Sequence, residues 1–147
     1  MAKEQEKISL LLVEDNEDDV LIAQRAFKEF KVISEVHVAH DGQEAMDMLY
    51  GTGRYSGQKP LRPSLLLLDI TLPLMDGLAV LKKLKADQSL RGIPVIMLTT
   101  SSRHEDIVRC YENGAASYIT KPASLEEFLE LARKFEMYWV SVSKLPV

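Results

Sequence analysis

Cysteine is almost missing: Cys110 is the single one in 147 residues. One thiol can neither close an internal disulfide nor build a thiolate metal cage, which points to a reducing compartment. Histidine is scarce too, and His37, His40 and His104 share no metal-ligand spacing, so they read as structural or surface residues. No apolar stretch approaches the roughly 20 residues a membrane-spanning helix requires. The opening MAKEQEK runs straight into a strand-like segment and holds no secretory signal. A basic excess is lacking as well: 18 basic residues stand against 22 acidic ones, spread along the chain. That argues against a nucleic-acid-binding polycation. Together these absences describe a soluble cytoplasmic protein with no membrane and no nucleic-acid partner.

What is present is a single-domain pattern over residues 1–147, with 46% apolar and 27% charged residues. Surface scaling for 16.6 kDa gives about 7,600 Å² folded against about 24,000 Å² unfolded, enough burial for one core. Short apolar runs at 8–13, 65–68, 93–98 and 118–119, with a weaker alternating run at 35–39, predict strands. Helical periodicity fills the gaps. The first helix starts near Asp18 and buries Val20, Ala23, Phe27 and Phe30. Asp41 with Glu44, Ser102 with Glu105 and Ser124 with Glu127 read as caps of the second, fourth and fifth helices. Leu78, Leu81 and Leu84 mark the third, with Lys82, Lys83 and Lys85 on its solvated side. Asn113-Gly114 stops the fourth. The result is α/β: a flavodoxin-like, doubly wound (βα)₅ fold with a five-stranded parallel sheet in the order 2-1-3-4-5. The segment 51–64, with three Gly and two Pro, matches neither dinucleotide nor phosphate-loop spacing and reads as a flexible surface loop.

The polar residues that follow the apolar runs carry the chemistry. Glu14-Asp15, Asp69, Thr99-Thr100 and Lys121-Pro122 each stand just after a strand. In a parallel sheet all these ends share the carboxyl edge, where open α/β sheets bind ligands. Crowded carboxylates resist ionisation unless a cation joins them. Oxygen ligands without His or Cys favour a hard ion, Mg²⁺ or Mn²⁺. Such an ion with Lys121 would neutralise a transferring phosphoryl group, and Asp69 could attack phosphorus to form an acyl phosphate. Singly, Glu14 or Asp15 would pass for a helix cap or a solvated loop residue; the set as a whole does not.

LLVEDNEDD, LLLLDITLPLMDG, IPVIMLTTS and YITKP, in this order, resemble the receiver domain of two-component response regulators over residues 8 to about 142. The resemblance implies Asp69 as phosphoacceptor and Glu14 and Asp15 as the acidic pair. It implies Mg²⁺ on the carboxylates of Asp15 and Asp69 and the backbone carbonyl of Thr71, with Glu14 acting through water. Thr99 would bond the phosphoryl group, Lys121 would pair with it, Tyr118 would be the aromatic switch, and the Lys121–Pro122 bond would be cis. The donor would be a sensor histidine kinase. The segment before the third strand, the TTS motif and the tail FEMYWVSVSKLP are similar to stand-alone regulators of phytochrome-type kinases, a subgroup often dimeric through its fourth and fifth helical region. The acidic pair is Glu-Asp where many receivers have Asp-Asp. Thr71 stands where the subgroup commonly has Asn, which bears on the rate of autodephosphorylation.

Beside the resemblance, the last helix carries Leu125, Phe128, Ala132, Phe135, Trp139 and Val142 on one face. Leu129, Leu131 and Tyr138 widen it. The excess suggests a homodimer through the fourth-strand to fifth-helix face. Met75 reads as loop packing. With no output domain expected, output runs through protein contact or phosphorelay. An enzyme reading, a haloacid-dehalogenase-type phosphatase or phosphotransferase with Asp69 as nucleophile, needs a second acid two positions on, where Thr71 stands. A flavin binder would meet carboxylates where the flavin phosphate should sit.

Overall fold

The computed structural model describes residues 8–29, 33–135 and 137. Five strands alternate with five helices: β1 (Ile8–Val13), α1 (Glu17–Lys28), β2 (Ile33–Ala39), α2 (Gly42–Tyr50), β3 (Leu65–Leu68), α3 (Gly77–Ala86), β4 (Val95–Thr99), α4 (His104–Glu112), β5 (Ser117–Thr120) and α5 (Leu125–Phe135). All strand pairs are parallel, in the order β2-β1-β3-β4-β5, so every strand delivers its last residue to one edge.

Two-residue periodicity splits the core into two layers. Leu11, Val13, Leu66, Leu68, Val95 and Met97 pack with α2 and α3 residues such as Leu49, Leu81 and Leu84. Leu10, Leu12, Leu65, Leu67, Ile96 and Leu98 pack with α1 and α5 on the other face. There Phe27 meets Phe128 and Phe135 edge-on, with centroids 6.1 and 5.4 Å apart. Both faces of the sheet are covered, which is why the central strands β3 and β4 read as apolar runs without interruption up to their tips.

The helix starts follow side-chain chemistry, with two departures from expectation. Asn16 caps α1, one residue earlier than anticipated, and Asp41, Asp76 and Ser124 accept from the amides three residues on. Ser102 does not cap α4: Arg103 is the N-cap and makes no side-chain cap bond, while the Ser101 hydroxyl bonds the Asp106 carboxylate instead. Nor is Lys85 on a solvated face, since its ammonium donates to the Arg91 and Ile93 carbonyls, both at 3.0 Å.

The segment 51–64 is not a loose loop. A 3₁₀ turn at Gly53–Tyr55 brings Arg54 and Tyr55 back to buried Glu44. Leu61 N–H and Arg62 close the segment onto the Met48 and Leu49 carbonyls. At the far edge of the sheet, the Tyr118 N–H donates to the Tyr111 hydroxyl, 3.1 Å away. On α5, Phe128, Ala132 and Phe135 are buried, and Leu129 and Leu131 are half-buried against the same layer, which narrows the expected apolar excess. Phe30, Tyr138, Trp139 and Val142, assigned from the sequence to core or interface, lie outside the described residues.

Candidate functional site

The hydrogen-bond ladder continues one residue beyond the strands, and this fixes the site. Glu14 N–H donates to the Ala39 carbonyl, Asp69 N–H to Val13, and Lys121 N–H to Thr99, at 2.9, 3.2 and 2.7 Å. The turn after β3 is held equally closely. Gly77 N–H bonds the Ile70 carbonyl, and a Cβ on Gly77 would fall 1.9 Å from the Asp69 carbonyl oxygen. A Cβ on Gly42 would come within 2.4 Å of the Met75 carbonyl oxygen. Between them Met75 N–H closes on the Pro73 carbonyl at 2.7 Å around Leu74, which takes φ +66°. A non-glycine residue held there is strained, and such strain is typical of functional loops.

Glu14, Asp15 and Asp69 offer carboxylate oxygens within 4.8 Å of one another. Glu14 and Asp69 are buried; Asp15 is exposed. The Lys121 ammonium reaches in from β5, bonds Glu14 closely, and lies 3.0 Å from Asp19 Oδ2 and 3.1 Å from Asp69 Oδ2. Burial pushes the Glu14 carboxyl up to about 7, against the opposing pull of Lys121. Burial also penalises the Lys121 ammonium, but hydrogen bonds to Glu14 and Asp19 and the charge of Asp69 outweigh it and raise its pKa. Three carboxylates with one ammonium leave net negative charge in a largely buried place, and an oxygen-only set of this kind fits a hard divalent cation. Thr99, fully buried at the tip of β4, has a hydroxyl with no hydrogen-bond partner among the described residues. Thr71 N–H donates to Asp69 Oδ1 at 3.2 Å, and the Tyr118 hydroxyl donates to the Ser101 carbonyl at 2.7 Å.

The residues named from the sequence therefore gather at one edge: Glu14, Asp15 and Asp69 as a cluster, Lys121 on two of them, and Thr99 on the strand between those of Asp69 and Lys121. Thr100 is exposed and does not complete a second buried hydroxyl. No peptide bond among the described residues is cis, so Lys121–Pro122 is trans, contrary to the resemblance; trans is the default for X–Pro by about 0.5–1 kcal/mol.

His40 lies at the surface, in keeping with its reading as a structural or surface residue. It stands at the carboxyl edge, because β2 is parallel like the rest, and bridges Glu44 and Glu17 at 3.1 and 3.2 Å. Burial works against the Glu44 carboxylate, yet the His40 backbone and ring and nearby Arg54 hold it below its ordinary value. Asp19 is the site residue that sequence reasoning missed. Within EDNEDD it looks like ordinary helix-start acidity, and nothing local signals its reach to Lys121.

This edge is that of a known class of signalling domain. Residues 10–133 match the response regulator receiver domain, and the chain belongs to that family. Receiver domains are signalling proteins rather than conventional enzymes; they use Mg²⁺ and are phosphorylated on aspartate by sensor histidine kinases. Among its relatives is response regulator Rcp1 of Synechocystis sp., 35% identical over 93% of this chain and 92% of the relative. The Mn²⁺-bound crystal structure of Rcp1 superposes with a TM-score of 0.86 at 34% identity, covering 95% of this chain and 99% of that one. The phosphorylated cyanobacterial phytochrome response regulator RcpA gives 0.88 at 38% identity, over 97% and 100%. Among the described residues no helix is long and apolar enough to cross a membrane.

Proposed function

We propose that this chain is a phosphorylation-dependent switch that accepts a phosphoryl group on Asp69 from a sensor histidine kinase of the phytochrome type. The observation that carries the reading is the buried Thr99 hydroxyl without a partner, on the strand between Asp69 and its lysine. Such a group costs stability unless something arrives to receive its hydrogen bond. A phosphoryl oxygen on Asp69 would accept that hydrogen bond, and another would accept from the Lys121 ammonium.

In this reading Mg²⁺, or Mn²⁺ in its place, would be held by the carboxylates of Asp15 and Asp69 and the Thr71 carbonyl, with Glu14 acting through water. The ion would supply positive charge against the phosphoryl oxygens. One Asp69 oxygen bonds to phosphorus as the phosphorus–nitrogen bond of the donor phosphohistidine breaks, and the imidazole leaves. Lys121 moves a hydrogen bond from the Asp69 carboxylate to a phosphoryl oxygen, and Thr99 donates to another. Tyr118, tied to the Ser101 carbonyl two residues past Thr99, follows that movement and alters the face from β4 to α5. Output runs through that face to a protein partner, a phosphorelay or a second copy. Phytochrome-associated relatives support the choice of kinase.

Incubation with Mg²⁺ and acetyl phosphate, read by intact mass, tests the chemistry. Wild type should gain one phosphoryl group and Asp69→Asn none. Gain in both would exclude Asp69 as acceptor. Sedimentation velocity at tens of micromolar, with and without beryllofluoride, tests the homodimer; monomer in both conditions removes it.

A further inference from the structure

The three partners of Lys121 are not equivalent. An ammonium group has three N–H donors and no acceptor. Glu14, Asp19 and Asp69 receive them, and the lysine side chain is 6% exposed. Glu14 and Asp69 belong to the cluster whose oxygens can share a cation; Asp19 stands outside it. On the function proposed above, on which this inference rests, ligation and phosphorylation draw Glu14 and Asp69 away from the ammonium. Asp19 keeps its carboxylate for the lysine throughout. Its backbone is fixed as well, because the Asp19 N–H donates to the N-cap Asn16 at 3.1 Å. The start of α1 is thereby joined to the end of β5.

We propose that Asp19 is a positioning residue for phosphoryl transfer: it holds the Lys121 ammonium within reach of Asp69 while the other two carboxylates change partners. Without it, the ammonium has two acceptors left, both in the cation cluster, so it competes with the metal and arrives late at the phosphoryl oxygen. Lys121 keeps Glu14 and Asp69 when Asp19, itself 30% exposed, is removed, so no buried charge is left unpaired and the fold should stay intact. Asp18, exposed on the same turn, bears the same charge and is the natural control.

The test compares Asp19→Ala, Asp19→Asn and Asp18→Ala in the full chain. The rate of phosphorylation by acetyl phosphate with Mg²⁺ is read by intact mass. The ¹H–¹⁵N signal of the Lys121 ammonium is read with Mg²⁺ and beryllofluoride. Asp19→Ala should slow phosphorylation about tenfold, the scale of losing an outer partner of a metal or catalytic group. It should also broaden the lysine signal through faster proton exchange. Asp19→Asn keeps an acceptor oxygen and should recover most of both, while Asp18→Ala should match wild type. If Asp19→Ala tracks Asp18→Ala in rate and signal while wild type gains its phosphoryl group, the role of Asp19 is wrong and the receiver chemistry stands. If wild type gains none, the receiver chemistry falls and takes this role with it.

Discussion

Thr99→Val should make the unphosphorylated protein more stable and less responsive. The hydroxyl is fully buried and finds no partner among the described residues, and burying one unpaired costs about 1–3 kcal/mol. Valine keeps the branched shape that suits a strand and replaces the hydroxyl with a methyl group. That methyl would share its surroundings with Asp69 and Lys121, so the low end applies: about 1 kcal/mol gained, or roughly 2–4 °C for a domain of this size. Beryllofluoride with Mg²⁺ should reverse the order. Wild type is stabilised in proportion to the logarithm of ligand over Kd. The variant lacks one hydrogen bond to a charged group, about 1.5–3 kcal/mol, or roughly ten- to a hundredfold in affinity. Urea melts of both proteins, with and without the analogue, measure the two effects. A ligand-free variant more than about 1 kcal/mol less stable than wild type would mean the hydroxyl is satisfied in solution, and the reasoning would fail.

Two further outcomes follow from the same edge. Gly77→Ala puts a methyl group 1.9 Å from the Asp69 carbonyl oxygen, so the backbone must move, at about 2–4 kcal/mol and with slower phosphorylation; an unchanged urea midpoint would contradict the close approach. Glu14, raised to about 7 from 4.5 by burial, holds an extra proton in the folded state between those values, so the metal-free protein should lose stability as pH rises through that window. Mg²⁺ binding just below neutrality should therefore release protons, seen in calorimetry as a heat that depends on the buffer; a heat independent of buffer would refute it.

The strands were legible because both faces of the sheet are covered, so runs such as Leu65–Leu68 contain no polar interruption. The site was legible because strand ends in a parallel sheet share an edge, which turns distant positions into neighbours without any side-chain detail. What escaped depended on reach. Asp19 and Lys85 look like solvated helix charges until the fold brings Lys121 to one and two loop carbonyls to the other. Ser102 fits a capping pattern, yet Ser101, one residue earlier, makes the bond to Asp106. The glycines and prolines of 51–64 suggested looseness, whereas Glu44, with burial on one side and His40 on the other, anchors Arg54 and Tyr55. Local pattern does not encode which side chain wins a contested partner.

The bond between the Tyr118 amide and the Tyr111 hydroxyl bears on how this protein behaves at high concentration. An outer strand normally presents open amides on which a foreign strand can zip, the first step toward fibrils. Here one of the four residues of β5 has its outward amide occupied by a side chain from α4. Extension of the sheet from this side would first have to displace a tyrosine. Contacts over this face are thereby steered toward side-chain recognition and away from backbone pairing.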